Sequence, residues 1–365
     1  MKILLLVFLF ASSCAFHKKN ATQNPVTSSS SPPPSSETSE KNLRPMADVH
    51  FHVRNYIQKG ITLAQAYETL KRAGVKRAAV FGIPLQQRWD METDISPSYY
   101  LHDDQHLYYY SAIDAILASE YQSLTPTQRN VFDPMIVGFN PTDGRAVDHI
   151  KNMLRSFPGT FTGIGEFSIK KEVVSSKIAG GAANIEDPAL GQILNFAGEV
   201  GLVVILHCDL DAMISHNKKA PSYLKALEKL FAKYSKTTII WAHTGLGRYV
   251  KARPRHTQII SRLLSKHPRL YVDISWDVVI EQFFHNKTLL PQWKKLLEKH
   301  SDKILFGSDV VSPNHAKYKK TLHLYDDIWK ELRKETAKKI TYGNYKKLFD
   351  TARRKVRSWE KANAR

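Results

Sequence analysis

Two histidines lie one residue apart in the segment ADVHFHVRN, residues 47–55. In a β-strand, residues i and i+2 point to the same side, so His50 and His52 would face one way while Val49 and Phe51 face the other. Two imidazoles on one face of a strand can bind a metal ion, but they can also form a polar strand end without a ligand. The pair alone leaves both interpretations open.

Hydrophobic periodicity predicts eight short strands along the chain. The strands are predicted at 47–52, 77–83, 134–139, 161–167, 202–208, 237–243, 269–275 and 304–309. Amphipathic segments separate most of them and predict helices, while the second connection, 86–122, is long and less regular. We expect an α/β fold of the (β/α)8 TIM-barrel type rather than a doubly wound open sheet, because no glycine-rich nucleotide loop follows the first strand.

Such a barrel carries its site at the carboxyl ends of the strands, which makes ligand-type residues at other strand ends informative. Glu166, His207, His243 and Asp309 end four further predicted strands. They are far apart in sequence but would converge on one rim, so together with the histidine pair they predict a metal site. Imidazole and carboxylate groups suit divalent transition metals, with zinc expected first and manganese or iron as alternatives.

Two neighbouring residues are expected to support this site without binding the metal. Cys208 directly follows His207, so it should face the opposite side of its strand and pack against helices. Asp273 shares a strand face with Ser275 and could either orient a ligand histidine or make a structural hydrogen bond inside the barrel.

The six ligand-type residues resemble those of the amidohydrolase superfamily, which consists of metal-dependent barrel enzymes. The segments LYVDISWD in the seventh strand and ITYGNYKKLFD at 340–350 resemble the amidohydrolase-2 branch. That branch contains lactonases, other hydrolases and non-oxidative decarboxylases. The resemblance extends from about residue 47 to 350 and leaves out both ends of the chain.

The resemblance implies roles for these residues. His50, His52 and Asp309 would hold a first metal. His207 would join that metal in a one-metal site, or share a second metal with His243, in which case Glu166 bridges the two. Zinc lowers the pKa of bound water to about 7, and Asp309 would take the proton and pass it to the leaving group. In one-metal members, the equivalent of His243 polarises the substrate carbonyl.

Loops after the predicted strands should contact the substrate. The predicted contacts are Arg88, Trp89, Lys170, Arg248 and Trp276. Their charges favour an anionic substrate. The first expectation is therefore a hydrolase of a carboxylic ester, lactone or amide. The alternatives are a non-oxidative decarboxylase on the same scaffold and a non-catalytic binding lipoprotein, with a TatD-like nuclease as a more distant one.

The first 45 residues predict export and anchoring. Lys2 precedes an apolar run at 3–11 that is too short to span a bilayer, and ASSC at 11–14 resembles a bacterial lipobox. We expect a signal peptide at 1–13, lipidation of Cys14 and a Ser- and Pro-rich tether at 14–45. A plain signal peptide cut after Ser13 or Ala15 is the alternative. Ala15 follows the cysteine, which by resemblance indicates the outer membrane, facing the periplasm.

The rest of the chain is expected to form one barrel at 46–350, followed by a basic helix or tail at 351–365. The formal net charge is +19, but the lysines are spread over predicted helices and indicate solvated helix faces. No nucleic-acid motif is present, so we expect a small-molecule substrate and no nucleic acid. With Cys14 lipidated, Cys208 has no disulfide partner. The sequence leaves the oligomeric state open.

Overall fold

The structure is a computed structural model that describes residues 44–92, 95–213, 220–284 and 286–363. The predicted signal peptide, Cys14 and nearly all of the predicted tether lie outside the described residues. Within these ranges, no helix is long and apolar enough to cross a membrane.

Eleven strands are formed in the described ranges. They are β1 (Met46–His52), β2 (Val75–Phe81), β3 (Leu85–Gln87), β4 (Leu107–Tyr109), β5 (Phe132–Ile136), β6 (Gly163–Lys170), β7 (Val203–Cys208), β8 (Thr238–Trp241), β9 (Leu270–Asp273), β10 (Ile304–Leu305) and β11 (Val310–Val311). Nine form one sheet in the order β10-β9-β8-β7-β6-β5-β2-β1-β11, and β3 pairs with β4 in a separate antiparallel hairpin. The hairpin lies in the long second connection.

The segment 304–311 closes the sheet into a barrel. Its first part, β10, pairs in parallel with β9, and its last part, β11, pairs in parallel with β1. Between them, the Val49 N–H donates to the Phe306 carbonyl at 3.1 Å. The eighth predicted strand is therefore present but is divided into two short pieces, and the predicted (β/α)8 TIM barrel is confirmed.

Helices follow the barrel strands on the outside. They are α1 (Leu63–Arg72), α2 (Ala112–Ser123), α3 (Pro126–Arg129), α4 (Ala146–Ser156), α5 (Glu172–Lys177), α6 (Pro188–Val200), α7 (Leu224–Lys233), α8 (His256–Lys266), α9 (Asp277–Phe283), α10 (Leu290–Lys299), α11 (His315–His323), α12 (Asp326–Glu331), α13 (Lys334–Lys338) and α14 (Asn344–Ala362). A short 3₁₀ turn spans Ala242–Gly245, and a π turn spans Lys339–Gly343. Local sequence determines where several helices begin or end. Thr62 and Gln65 form a capping box at the start of α1, and Gly201 ends α6 in a left-handed conformation.

The core has an inner and an outer part. Inside the barrel, Ala79, Met135 and Ile205 belong to one buried cluster that also contains Tyr345 and Phe349 of α14. A larger cluster lies between strands and helices and includes Cys208, as expected for the residue after His207. Helix α14 continues through residue 350 to Ala362, so the described part of the basic C-terminal segment is largely helical and packs on the barrel.

Candidate metal centre and active site

Strand β1 delivers both histidines of the first motif to the inside of the barrel. His50 and His52 are fully buried, and their ring centroids lie 5.1 Å apart. The prediction that Val49 and Phe51 share the opposite face is wrong, since Val49 packs in the inner cluster and Phe51 packs against Tyr318 outside it. The register of β1 against β2 shifts between Asp48 and Phe51, which breaks the simple alternation.

Glu166 lies within β6 and reaches the same interior. The preceding Gly165 has φ +109°, and a Cβ there would lie 2.1 Å from the Ile205 carbonyl oxygen. Only glycine allows β7 to approach this closely. The sequence placed Glu166 at a strand end, whereas β6 continues to Lys170.

His207 lies near the end of β7, while His243 and Asp309 lie just beyond regular strand. His243 is in the 3₁₀ turn after β8 with φ +54°, and Asp309 follows β10 with φ +53°. A left-handed backbone is uncommon for residues with a Cβ and is often found at functional sites. Backbone bonds hold both: the His243 N–H donates to Asp273 Oδ1 at 2.9 Å, and the Asp309 N–H donates to the His50 carbonyl at 2.8 Å.

The two oxygens of Glu166 face two different groups of histidines. Oε2 lies 3.5 Å from His50 Nε2 and 3.3 Å from His52 Nε2. Oε1 lies 2.6 Å from His207 Nδ1 and 3.5 Å from His243 Nε2. Glu166 is therefore placed between the two pairs of imidazoles.

Asp309 closes the first group and also reaches towards the second. Its Oδ1 lies 3.1 Å from His52 Nε2 and 3.4 Å from His50 Nε2. Its Oδ2 lies 3.8 Å from His243 Nε2. The structure thus brings together all six side chains that the sequence predicted as ligands.

Asp273 and Ser275 orient the imidazoles from behind. Asp273 Oδ2 lies 3.1 Å from His50 Nδ1, and Ser275 Oγ lies 2.8 Å from His243 Nδ1. With these Nδ1 atoms engaged, the Nε2 atoms of both histidines point to the carboxylates of Glu166 and Asp309. Between the two roles considered for Asp273, this geometry matches the orienting one.

The site keeps its carboxylates ionised although they are buried. Burial alone would raise the pKa of Glu166, but Lys171 and the histidines hold it well below its usual range. Burial likewise opposes ionisation of Asp309, and neighbouring His50 and His52 lower its pKa overall. Burial lowers the pKa of His243 and favours its neutral imidazole, whereas neighbouring carboxylates outweigh burial and raise the pKa of His50 and His207, so metal binding would displace protons from those two.

The donor set fits a divalent metal. The donor atoms of His50, His52, Glu166 and Asp309 lie within 4.8 Å of one another, and those of Glu166, His207 and His243 form a second such group. Among the described residues, the buried Nε2 atoms of His50 and His243 have no hydrogen-bond partner. Buried imidazole nitrogens that have no hydrogen-bond partner and face carboxylates are typical of metal ligands.

A cavity of about 620 Å³ opens onto this centre and is lined by His52, Asp309, Arg248 and Trp276, among others. Two of the predicted substrate contacts, Arg248 and Trp276, therefore border it. The other three do not line it. Arg88 is largely exposed beside Asp90, Trp89 is 46% exposed, and Lys170 donates to Asn184 at 2.7 Å.

Several cavity residues were not predicted as substrate contacts. Lys171 lines the cavity with its ammonium 3.7 Å from Glu166 Oε1 and 5.8 Å from the centre of the Trp276 ring. Tyr56, Tyr99 and Tyr100 also line it, and the last two come from the irregular second connection. No periodic pattern marks that connection. The basic pair Lys170 and Lys171 after the fourth predicted strand indicated a cation near the site, but the sequence did not show which of the two lysines turns inward.

Solved structures with the same fold support this reading of the architecture. An amidohydrolase from Burkholderia multivorans with bound zinc is 10% identical, with a TM-score of 0.54 over 84% of this chain and 99% of that chain. A putative 2-pyrone-4,6-dicarboxylic acid hydrolase from Pseudomonas putida is 14% identical, with a TM-score of 0.52 over 85% and 99%. Dihydroorotase from Campylobacter jejuni is 14% identical, with a TM-score of 0.50 over 84% of each chain. At these identities the similarity shows the fold alone.

The sequence itself identifies the family. No curated protein matches the chain. Residues 103–351, more than half of the chain, match the family model described as Amidohydrolase. The chain therefore belongs to the amidohydrolase family of metal-dependent hydrolases and related enzymes, and its substrate is a small molecule.

Proposed function

We propose that this enzyme hydrolyses a carboxylic ester, lactone or amide, and that this substrate carries a negative charge. The observation that carries the proposal is the convergence of six buried ligand-type side chains at the base of a cavity with cationic walls. Four imidazoles and two ionised carboxylates suit a divalent metal, and zinc is the first choice because its ligands are of these types.

The position of Glu166 supports a site for two metals. His50, His52 and Asp309 would hold the first metal together with Glu166 Oε2. His207 and His243 would hold the second together with Glu166 Oε1, because each oxygen already faces its own pair of imidazoles. Such a centre supplies a polarised carbonyl and a water of lowered pKa.

Asp309 is suited to move the proton of the attacking water. Its carboxylate is ionised, borders the cavity and lies within 3.8 Å of both histidine groups. An ionised carboxylate at that place can accept the proton of a water and deliver it to the leaving group. The neutral imidazole of His243, held by Ser275, lies where it can help to bind the carbonyl oxygen.

Two cations support an anionic substrate. Lys171 and Arg248 both lie against the Trp276 ring, at 5.8 and 5.5 Å from its centre, and both line the cavity. Glu172 links their two loops, because its backbone N–H donates to Asp209 and its carboxylate accepts from the Tyr249 and Val250 N–H groups. This linkage connects the loops that carry both cations at the cavity, where the two side chains can bind a carboxylate group of the substrate.

The test is a panel of lactones, esters and amides in matched pairs with and without a free carboxylate, assayed on metal-loaded protein. We expect turnover of a carboxylate-bearing member, with acid or alcohol released. Release of CO₂ instead would replace hydrolysis with the non-oxidative decarboxylase, and a preference for the uncharged partners would refute the anionic substrate.

With a substrate in hand, Asp309→Asn tests the mechanism. The amide keeps the shape of the carboxylate but cannot accept a proton, so kcat should fall by about 10²–10⁴-fold. KM should change less, because cavity residues outside the metal centre supply much of the binding. Metal content measured on the same preparation separates loss of the base from loss of metal. Near-normal kcat with full metal would remove Asp309 from the mechanism.

We also propose that the enzyme is a lipoprotein of the bacterial cell envelope, anchored through Cys14 to the outer membrane and facing the periplasm. The support is in the sequence: a short apolar run, ASSC at 11–14 and a Ser- and Pro-rich segment before the barrel. Two or more acyl chains suffice for stable attachment without a membrane-spanning helix.

A further inference from the structure

The surface at the amino-terminal ends of the barrel strands is strongly cationic, and we call it the basic face. Helix α14 crosses it and is fixed by its inner side. Arg353 donates to Asp133 at 2.6 Å, Arg357 donates to the Phe161 carbonyl at 2.9 Å, and the Gly159 N–H donates to Glu360 at 3.1 Å. The helix is thus held as one wall of the barrel end.

The outer side of α14 carries a stripe of cations. Lys347, Arg354 and Lys361 are exposed and spaced seven residues apart, so they lie on one face of the helix. Lys346 and Lys355 flank this stripe and are also exposed. The buried residues of α14 follow the opposite face and leave no apolar surface outward.

The turns that lead into the barrel strands add to the same face. Each turn lies at the amino-terminal end of the strand that it precedes. The exposed cations in these turns or directly beside them are Lys76, Lys236, Lys266, Arg269 and Lys299. Two carboxylates of this face are already paired, Asp302 with Lys339 at 2.9 Å and Asp350 with Lys346 at 2.5 Å. The net charge of the face is therefore positive.

The pKa values of two histidines on this face are lowered by nearby cations. Burial lowers the pKa of His267, and Lys266 and Lys303 lower it further against the opposing effect of Glu228. Burial also lowers the pKa of His300, with Lys299 and Lys303 acting in the same direction. Cations on adjoining turns are thus close enough to repel added positive charge, and an anion bound there would relieve that repulsion.

The chain enters the barrel at this face, because β1 begins there at Met46. Residues 15–45 separate it from Cys14, and the tether that the sequence predicts over that length would have a reach of roughly 30 Å. An anchor at Cys14 would therefore keep the basic face within reach of the bilayer, while the metal centre lies at the other end of the barrel. A cluster of lysines and arginines at that distance is attracted to anionic lipids.

From these observations we infer that the basic face is a docking surface for anionic phospholipid headgroups, which holds the open end of the barrel away from the membrane. The contact is electrostatic, since the outward side of α14 offers cations rather than apolar residues. It acts in addition to the proposed lipid anchor and can be measured without it.

The test uses the full chain carrying Cys14→Ser, so that acyl chains do not contribute. Sedimentation with vesicles of phosphatidylcholine is compared with vesicles of phosphatidylcholine mixed with phosphatidylglycerol. Any insertion of the apolar run at 3–11 is common to both vesicles and all variants. We expect a phosphatidylglycerol-dependent increase in binding that disappears at high salt. Equal binding to both vesicles would overturn the proposal.

A matched pair of variants distinguishes an effect of the basic face on vesicle binding from an effect of the overall charge of the protein. The basic-face variant is Lys347→Gln, Arg354→Gln, Lys355→Gln and Lys361→Gln. The control removes the same number of exposed cations elsewhere on the barrel, by Lys59→Gln, Lys251→Gln, Lys287→Gln and Lys319→Gln. The basic-face variant should lose about tenfold or more of the phosphatidylglycerol-dependent binding, and the control far less. Equal losses would overturn the docking surface, and matching thermal midpoints would verify that both variants fold.

Discussion

Asp273→Asn should weaken metal binding although Asp273 is not among the proposed ligands. Asp273 Oδ1 accepts from the His243 N–H at 2.9 Å, the Ser275 N–H at 3.1 Å and the Ser275 hydroxyl at 2.5 Å. An asparagine oxygen would stay with these three donors. Its NH₂ group would then face His50 Nδ1, where the wild-type carboxylate accepts.

That exchange reverses the tautomer of His50. With an NH₂ donor at Nδ1, the imidazole proton is favoured on Nε2, which is the nitrogen that faces Glu166 and Asp309 and would bind the metal. Loss of such an outer partner typically lowers metal affinity about 10–100-fold. This corresponds to about 1.4–2.7 kcal/mol of binding free energy.

Asp48→Asn is the matched control. Asp48 is equally buried and accepts from the backbone N–H groups of His50 and Ser308 and from the Tyr318 hydroxyl, each at 2.9 Å. It touches no imidazole, and the Tyr318 hydroxyl can turn to accept from an amide. Both variants change a buried hydrogen-bond network and should lose about 1–3 kcal/mol of stability.

The assay is competition for zinc against a chromophoric chelator at neutral pH, with thermal midpoints of the metal-free proteins measured in parallel. Asp273→Asn should lose affinity and Asp48→Asn should keep most of it. If both variants lose affinity equally, the effect comes from general loosening of the site, and the tautomer argument is refuted. Unchanged affinity in Asp273→Asn would refute it as well.

Three further predictions follow from other parts of the chain. His50→Ala should lower the metal content, measured by elemental analysis, while the far-ultraviolet circular dichroism stays that of a folded barrel, because the inner and outer apolar clusters are untouched. Cys14→Ser should release the protein from the membrane fraction and abolish acyl labelling, and unchanged retention would contradict the anchor. Burial lowers the pKa of His256 from 6.5 to about 4, so the folded protein resists a proton that the unfolded chain accepts. The contribution of His256 to stability should therefore fall by roughly 3 kcal/mol as the pH drops from 6.5 to 4, and denaturant titrations should show a flatter pH dependence for His256→Gln.

Much of the fold could be predicted because strand and helix periodicities are local. All eight barrel strands are present near their predicted positions, since each is an apolar run bounded by turn residues. The predicted ligand residues follow from the same logic, because parallel strands of a barrel end at one rim and bring distant residues together. Residue type, strand order and strand direction were enough to place His50, Glu166 and Asp309 in one group.

The tertiary structure alone decided which side chains turn into the cavity. The register shift in β1 sends Val49 inward, and the left-handed backbones of His243 and Asp309 depend on bonds to Asp273 and His50. Such bonds join residues that are distant in sequence, so no local pattern reports them.

Lys170 and Lys171 show the same limit of prediction from sequence. Lys170 donates to Asn184, while Lys171 turns inward to Glu166 and Trp276. The sequence does not distinguish these two lysines. Which of them turns inward depends on the charge of a buried carboxylate and on the loops that pack around it. Sequence by itself determined the ligand types and the barrel that gathers them. The three-dimensional contacts decided how Glu166 divides the histidines and which cations face the substrate, since these depend on distances between separate strands.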